Sequence, residues 1–154
     1  MRIAVSCDHR GQHLHPAISE LVRARGHELV EVPTCSGPNC DYPDLAFAVG
    51  KAVIDGRADR GILICGSGIG MSIAANKIPG VRAALVHDDI TAEMSRRHND
   101  ANVVCLSADM LGQKLIEKII QIWLDTEFEG GRHARRNAKI AAIEAGMDPA
   151  TVGP

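Results

Sequence analysis

Cys65 stands directly before a run in which every second residue is glycine, Gly66-Ser67-Gly68-Ile69-Gly70. Placed where a strand turns into a helix, such a run lets backbone N–H groups converge on an anion. Two anions suit it: a phosphate, or an oxyanion or enediolate that gains charge only during reaction. A thiol beside a helix N-terminus has its thiolate favoured by the dipole, and such a group can accept a carbon-bound proton near neutral pH. The plain alternative is an inert core cysteine. A dinucleotide fingerprint is a further alternative, since Asp88 lies about twenty residues on, where a ribose-binding carboxylate could sit. Against it, the third glycine comes one residue early for G-x-G-x-x-G, and the motif follows the third strand rather than the first.

Three other segments carry reactive side chains. Cys7-Asp8-His9-Arg10-Gly11 places polar groups at the exit of an apolar run. Asp8 either caps the helix that follows or, with His9, faces a polar ligand. Arg96-Arg97-His98-Asn99-Asp100 closes a helical segment; the arginines suit the helix dipole, and His98 and Asn99 either cap or act, an imidazole having the intrinsic pKa to move protons at neutral pH. Gly130-Gly131-Arg132-His133-Ala134-Arg135-Arg136 is a basic cluster in which Arg132 and Arg136, four apart, share a helix face. It is either a solvated face or a pair of guanidiniums able to grip a phosphate. His13 and His15 diverge on a helix, so they make no metal pair.

The elements that must hold these groups follow from periodicity and turn chemistry. Strands are expected at 3–6, 28–32, 61–65, 81–86 and 102–106. Helices are expected over 12–25, from about Leu45 to Asp55-Gly56, and over 69–77, 91–97 and 110–124, the last with Leu111, Leu115, Ile119 and Ile122 on its buried stripe. Gly61 to Cys65 is continuously apolar, as for a central parallel strand covered on both faces. Alternation of strand and helix with short connections gives an α/β fold: a doubly wound, Rossmann-like five-stranded parallel sheet with helices on both faces. The whole chain, 1–154, reads as one domain. Its basic tail helix, about 132–145, has a stripe too modest to stand alone and is expected to pack on a partner subunit. Ligands of such sheets sit beyond the strands' carboxyl ends, which directs attention to the residues after Ser6, Cys65, Val86 and Leu106.

The 154 residues, 45% apolar, are enough for a core without staples. A net charge of −2 offers no general attraction to nucleic acid or to an anionic membrane. No apolar stretch reaches the roughly 18 residues of a membrane helix, and the N-terminus has no signal-peptide pattern, so a cytoplasmic location is expected. The five cysteines contain no C-x-x-C pair, and Cys35 and Cys40, like the others, are read as free thiols.

Taken together, IAVSCDHRG, DYPD, ILICGSGIGMSIAANK, SRRHNDANV and EGGRHARR, spread over about residues 2 to 136, resemble the ribose-5-phosphate isomerase B family, which includes galactose-6-phosphate isomerase subunits and allose-6-phosphate isomerase. The resemblance implies an aldose–ketose isomerase of phosphorylated sugars with no metal and no cofactor, built as a homodimer or tetramer with sites at the interface. By position it makes Cys65 the catalytic base and Ser67 its helper, and the backbone of Gly66, Ser67, Gly68, Ile69 and Gly70 the anion hole. His98 and Asp8 become the ring-opening groups, His9, Arg132 and Arg136 the phosphate grip, and Asn99 and Tyr42 pocket residues. One departure stands out: many members place an arginine where this chain has Asp109, which bears on the preferred sugar.

Overall fold

The computed structural model describes residues 1–38 and 40–153. β1 (Arg2–Cys7), β2 (Glu28–Val30), β3 (Arg60–Cys65), β4 (Ala83–Leu85) and β5 (Val103–Ser107) form one parallel sheet in the order β2-β1-β3-β5-β4. α1 (His15–Ala24), α2 (Tyr42–Ile54), α3 (Ile69–Ala75), α4 (Asp89–Arg97) and α5 (Gln113–Asp125) connect and follow the strands, and α6 (Arg132–Glu144) forms the tail. This is the expected doubly wound α/β arrangement, with β3 at its centre.

The pleat of β3 sorts its side chains by face. Ile62 and Ile64 join Ile3, Val5, Val104 and Leu106 beneath α1 and α5, whereas Leu63 and Cys65 join Ala4, Val103 and Cys105 beneath α2 and α3. Period-2 alternation of apolar residues on a sheet covered twice is what made the strand uniformly hydrophobic. α4 starts on a capping box, Asp88 Oδ1 accepting from the Thr91 N–H at 2.7 Å while the Asp88 N–H meets Thr91 Oγ1 at 3.4 Å. That assigns Asp88 to the helix start and leaves the dinucleotide reading without its carboxylate.

Two expectations are corrected. α5 buries Ile116, Ile119, Ile120, Trp123 and Leu124, while Leu115 is exposed and Leu111 and Ile122 lie only partly under cover. The helix begins at Gln113 rather than Met110, because Met110 donates its N–H to Ser107 Oγ (3.0 Å) in the turn after β5, and the buried stripe centres on Trp123. Between the carbonyl-binding Arg60 and Arg96, the Trp123 ring lies 5.3 Å and 5.8 Å from their guanidinium carbons. Cys35 and Cys40, expected as free thiols, are joined in a disulfide with their Cα atoms 5.7 Å apart.

Close packing of α2 on β3 depends on Gly61, where a Cβ would stand 2.5 Å from Val49 Cγ1 and 3.2 Å from Val103 Cγ2. Gly61→Ala is therefore expected to cost about 1–3 kcal/mol by overpacking, read as a lowered urea midpoint at unchanged slope.

Candidate functional site

At the carboxyl end of β3 the chain turns sharply. Gly68 adopts φ +76°, and a Cβ there would sit 2.6 Å from Leu85 Cδ1 and 3.1 Å from the Leu106 carbonyl carbon. Only glycine meets both conditions. The turn returns the Gly68 N–H to Cys65 Sγ at 3.1 Å, and the Ile69 N–H to Ser67 Oγ at 3.3 Å. Two of the five amides expected to cradle an anion are thus engaged with the two side chains expected to do the chemistry.

The loops around it are tied to the same point. Ala108 N–H donates to Cys65 O (2.9 Å), Asp109 N–H to Gly66 O (3.0 Å) and Ser107 Oγ to Gly66 O (2.6 Å). The Asp8 N–H donates to Ile64 O at 3.0 Å, and Asp8 Oδ1 accepts from the Arg10 and Gly11 N–H groups at 2.8 and 3.3 Å. Asp8 does serve as a turn cap, and it is buried one strand away from Cys65. Tyr42, opening α2, lays its ring so close over Gly70 that a Cβ there would lie 2.6 Å from Cζ. His9 is exposed on the same loop as Asp8.

Cys65 itself is 3% exposed, while Gly66, Ser67 and Gly70 are half-buried. Burial pushes up the other free thiols, Cys7 with partial relief from its Thr34 hydrogen bond, and Cys105 further still with Cys65 adding to the effect. They remain protonated.

A second constellation forms elsewhere. The His98 and His133 rings stack at 4.0 Å and 2°. Arg97 donates to Glu129 at 3.0 Å, holding that carboxyl below its usual range, and Arg132 Nε donates to His133 Nε2 at 3.3 Å. Burial, then the neighbouring His98 and Arg132, keep His133 below the ordinary histidine value. His98, Glu129 and His133 offer ligand atoms within 4.8 Å of one another, yet two guanidiniums already occupy the carboxylate and the imidazole lone pair. That charge suits an anion better than a cation. Arg136 lies one turn along α6 from Arg132 and is exposed; Asn99 lends its carbonyl to Arg82 Nε at 3.0 Å.

These two groups do not meet within one chain. α4 leaves the carboxyl end of β4 and returns to the amino end of β5, so His98 lies at the edge of the sheet opposite Cys65. β3 alone spans roughly 16 Å between those edges. Within a single copy the thiol with its anion cradle and the Arg132–Arg136 pair therefore lie at opposite edges of the sheet. Among the described residues, the ≈ 500 Å³ groove beside Asn99 runs between α6 and β4, lined also by Asn76, Arg82, Ile140, Ile143 and Glu144, and does not reach Cys65. Residues that spacing alone had not singled out are Arg10, which pairs with Asp109, and Glu129 and His133, which complete the His98 cluster.

The profile of the Ribose/Galactose Isomerase family matches residues 3–140. This chain belongs to that family. It is 44% identical over 144 residues to ribose-5-phosphate isomerase B of Escherichia coli, covering 93% of this chain and 96% of that one. With the D-erythrulose-4-phosphate isomerase of Pectobacterium atrosepticum it shares 41% identity over 147 residues, covering 94% and 95%. The ribose-5-phosphate isomerase B structure from Clostridium thermocellum superposes with a TM-score of 0.92 at 45% identity, covering 95% of this chain and 99% of that one. No helix among the described residues is long and apolar enough to cross a membrane.

The turn that aims Cys65 is testable on its own. Gly68→Ala is expected to lose about 1–3 kcal/mol from the forced left-handed backbone and to lower isomerase turnover about 10²-fold or more as the amides swing away, measured by denaturant unfolding beside a steady-state assay.

Proposed function

We propose that the protein interconverts ribose 5-phosphate and ribulose 5-phosphate, with Cys65 moving the proton between C2 and C1. The observation that carries this reading is the Gly68 N–H on Cys65 Sγ, which fixes a sulfur against a glycine turn; family membership supplies the substrate class. As thiolate, Cys65 removes the C2 hydrogen of the open-chain aldose. The C1=O electrons move to oxygen, giving an enediolate whose charge faces the Gly66–Gly70 amides. Protonation at C1 by the same sulfur, with transfer of the O2 proton towards O1 aided by Ser67, yields the ketose. No cofactor enters this scheme.

The furanose must first open, and the reading assigns this to His98 with Asp8. Because His98, Arg132 and Arg136 lie at the far edge of their own sheet, the complete site is proposed to form between two copies related by two-fold symmetry. The exposed apolar residues support this: Ile69 and Ile73 flank the glycine turn, and Ile140 and Ile143 face outward on α6. One copy's α6 face and His98 cluster would then cover the other's Cys65, with the phosphate gripped by His9 of one chain and Arg132 and Arg136 of the other. Tyr42 and Asn99 would line the pocket.

A four-carbon substrate is the second reading, favoured by the relative named for D-erythrulose 4-phosphate. Its O4 is esterified, so it cannot close a furanose and needs no ring opening.

Cys65→Ala is expected to reduce turnover about 10²–10⁴-fold with the fold retained; full activity in that variant removes Cys65 as the base. Mixing Cys65→Ala with His98→Ala chains, then letting dimers re-pair, is expected to restore roughly a quarter of wild-type activity, since half the dimers become mixed and each keeps one intact site. Absence of recovery defeats the shared site. Comparing kcat/KM on ribose 5-phosphate and on erythrose 4-phosphate decides the sugar: His98→Ala should impair only the pentose reaction.

A further inference from the structure

Arg10 and Asp109, 99 positions apart in the chain, close over Gly66. Arg10 Nε lies 3.1 Å from each carboxylate oxygen of Asp109, and Nη2 lies 2.9 Å from Oδ1. A Cβ on Gly66 would stand 2.9 Å from Asp109 Oδ2 and 3.6 Å from Arg10 Cγ. The pair therefore occupies the outer wall of the glycine turn whose inner wall is Cys65. Both ends are held: the Arg10 N–H is fixed by Asp8 at 2.8 Å, and the Asp109 N–H by Gly66 O at 3.0 Å.

Resting on the isomerase reading above, we propose that Arg10 is a substrate-binding residue that contacts the phosphate of the sugar, and that Asp109 is its positioning residue. A guanidinium has five N–H donors on a rigid plane. Asp109 takes the Nε hydrogen and one Nη2 hydrogen, which leaves the Nη1 edge free for a second oxyanion. Within one copy the side chains are 56% and 41% exposed, against 3% for Cys65, so on this chain's side of the site the pair lies at the mouth and the sulfur at the floor. The dianion, which is the costliest part of the substrate to desolvate, belongs at the mouth; the carbons that exchange a proton belong at the floor. Asp109, which by itself would repel a phosphate, is neutralised by Arg10 and turns it edge-on to the turn.

The test uses Arg10→Met and Arg10→Met with Asp109→Ala, with KM and kcat for ribose 5-phosphate measured beside the Kd of inorganic phosphate by calorimetry. Loss of a charge-assisted contact is expected to raise KM and the phosphate Kd together by about 10- to 100-fold, with kcat changed about threefold or less. In Arg10→Met the carboxylate is left alone beside the phosphate, so adding Asp109→Ala is expected to recover part of both losses. KM and phosphate Kd within about twofold of wild type in Arg10→Met, or a raised KM with an unaltered phosphate Kd, overturns the assignment. A second substitution that worsens phosphate binding further also overturns it. A wild-type protein that binds phosphate through Arg10 yet isomerises no sugar phosphate sinks the isomerase reading instead, and the calorimetric arm still decides this one.

Discussion

Every strand in the sheet points the same way, and each helix that follows a strand must carry the chain back. That polarity governs where chemistry can be. Side chains at strand exits, here Asp8, Cys65 and Asp109, gather at one edge, whereas side chains at helix exits, here His98, are delivered to the other. A reaction that needs both sets therefore needs two molecules, and the exposed isoleucines on α3 and α6 are the surfaces that could bring them together.

At the strand-exit edge, precision comes from backbone rather than from long side chains. Cys65 is positioned by its own strand and by the Gly68 amide. The β5 loop is stitched to the β3 loop through Ser107, Ala108 and Asp109. Gly68 permits the left-handed turn, and the missing side chain of Gly70 lets Tyr42 lie across it. Little in this arrangement can drift, which suits the proton transfer proposed for Cys65, since a misplacement of about 1 Å can cost two orders of magnitude in rate.

Charge is placed with the same economy. The buried thiols Cys7 and Cys105 are kept neutral by desolvation, while the guanidiniums of Arg10 and Arg97 are each pinned by a carboxylate at the surface. Arg60 and Arg96 flank Trp123, and burial pulls Arg60 down to about 10. Basic residues close in sequence thus have unlike duties: Arg96 satisfies carbonyls in the core, and Arg97, one residue on, orients Glu129 beside the histidine stack.

The order of strands and helices, the buried central strand and the glycine turn after Cys65 are all legible in the order of residues along the chain. Those features rest on local rules: side-chain periodicity, turn chemistry and capping act over a few residues and are visible in any short window. Its family resemblance likewise anticipated the family to which the chain belongs. Folding in three dimensions settled whatever depends on distant segments meeting. It rotated α5 so that Trp123, not Leu115, faces the core, joined Cys35 to Cys40, separated His98 and Arg132 from Cys65 by the height of the sheet, and set Arg10 against Asp109 across 99 positions. No local pattern encodes such a pairing, because the free energy that selects it comes from packing and charge complementarity between elements that become neighbours only when the sheet closes.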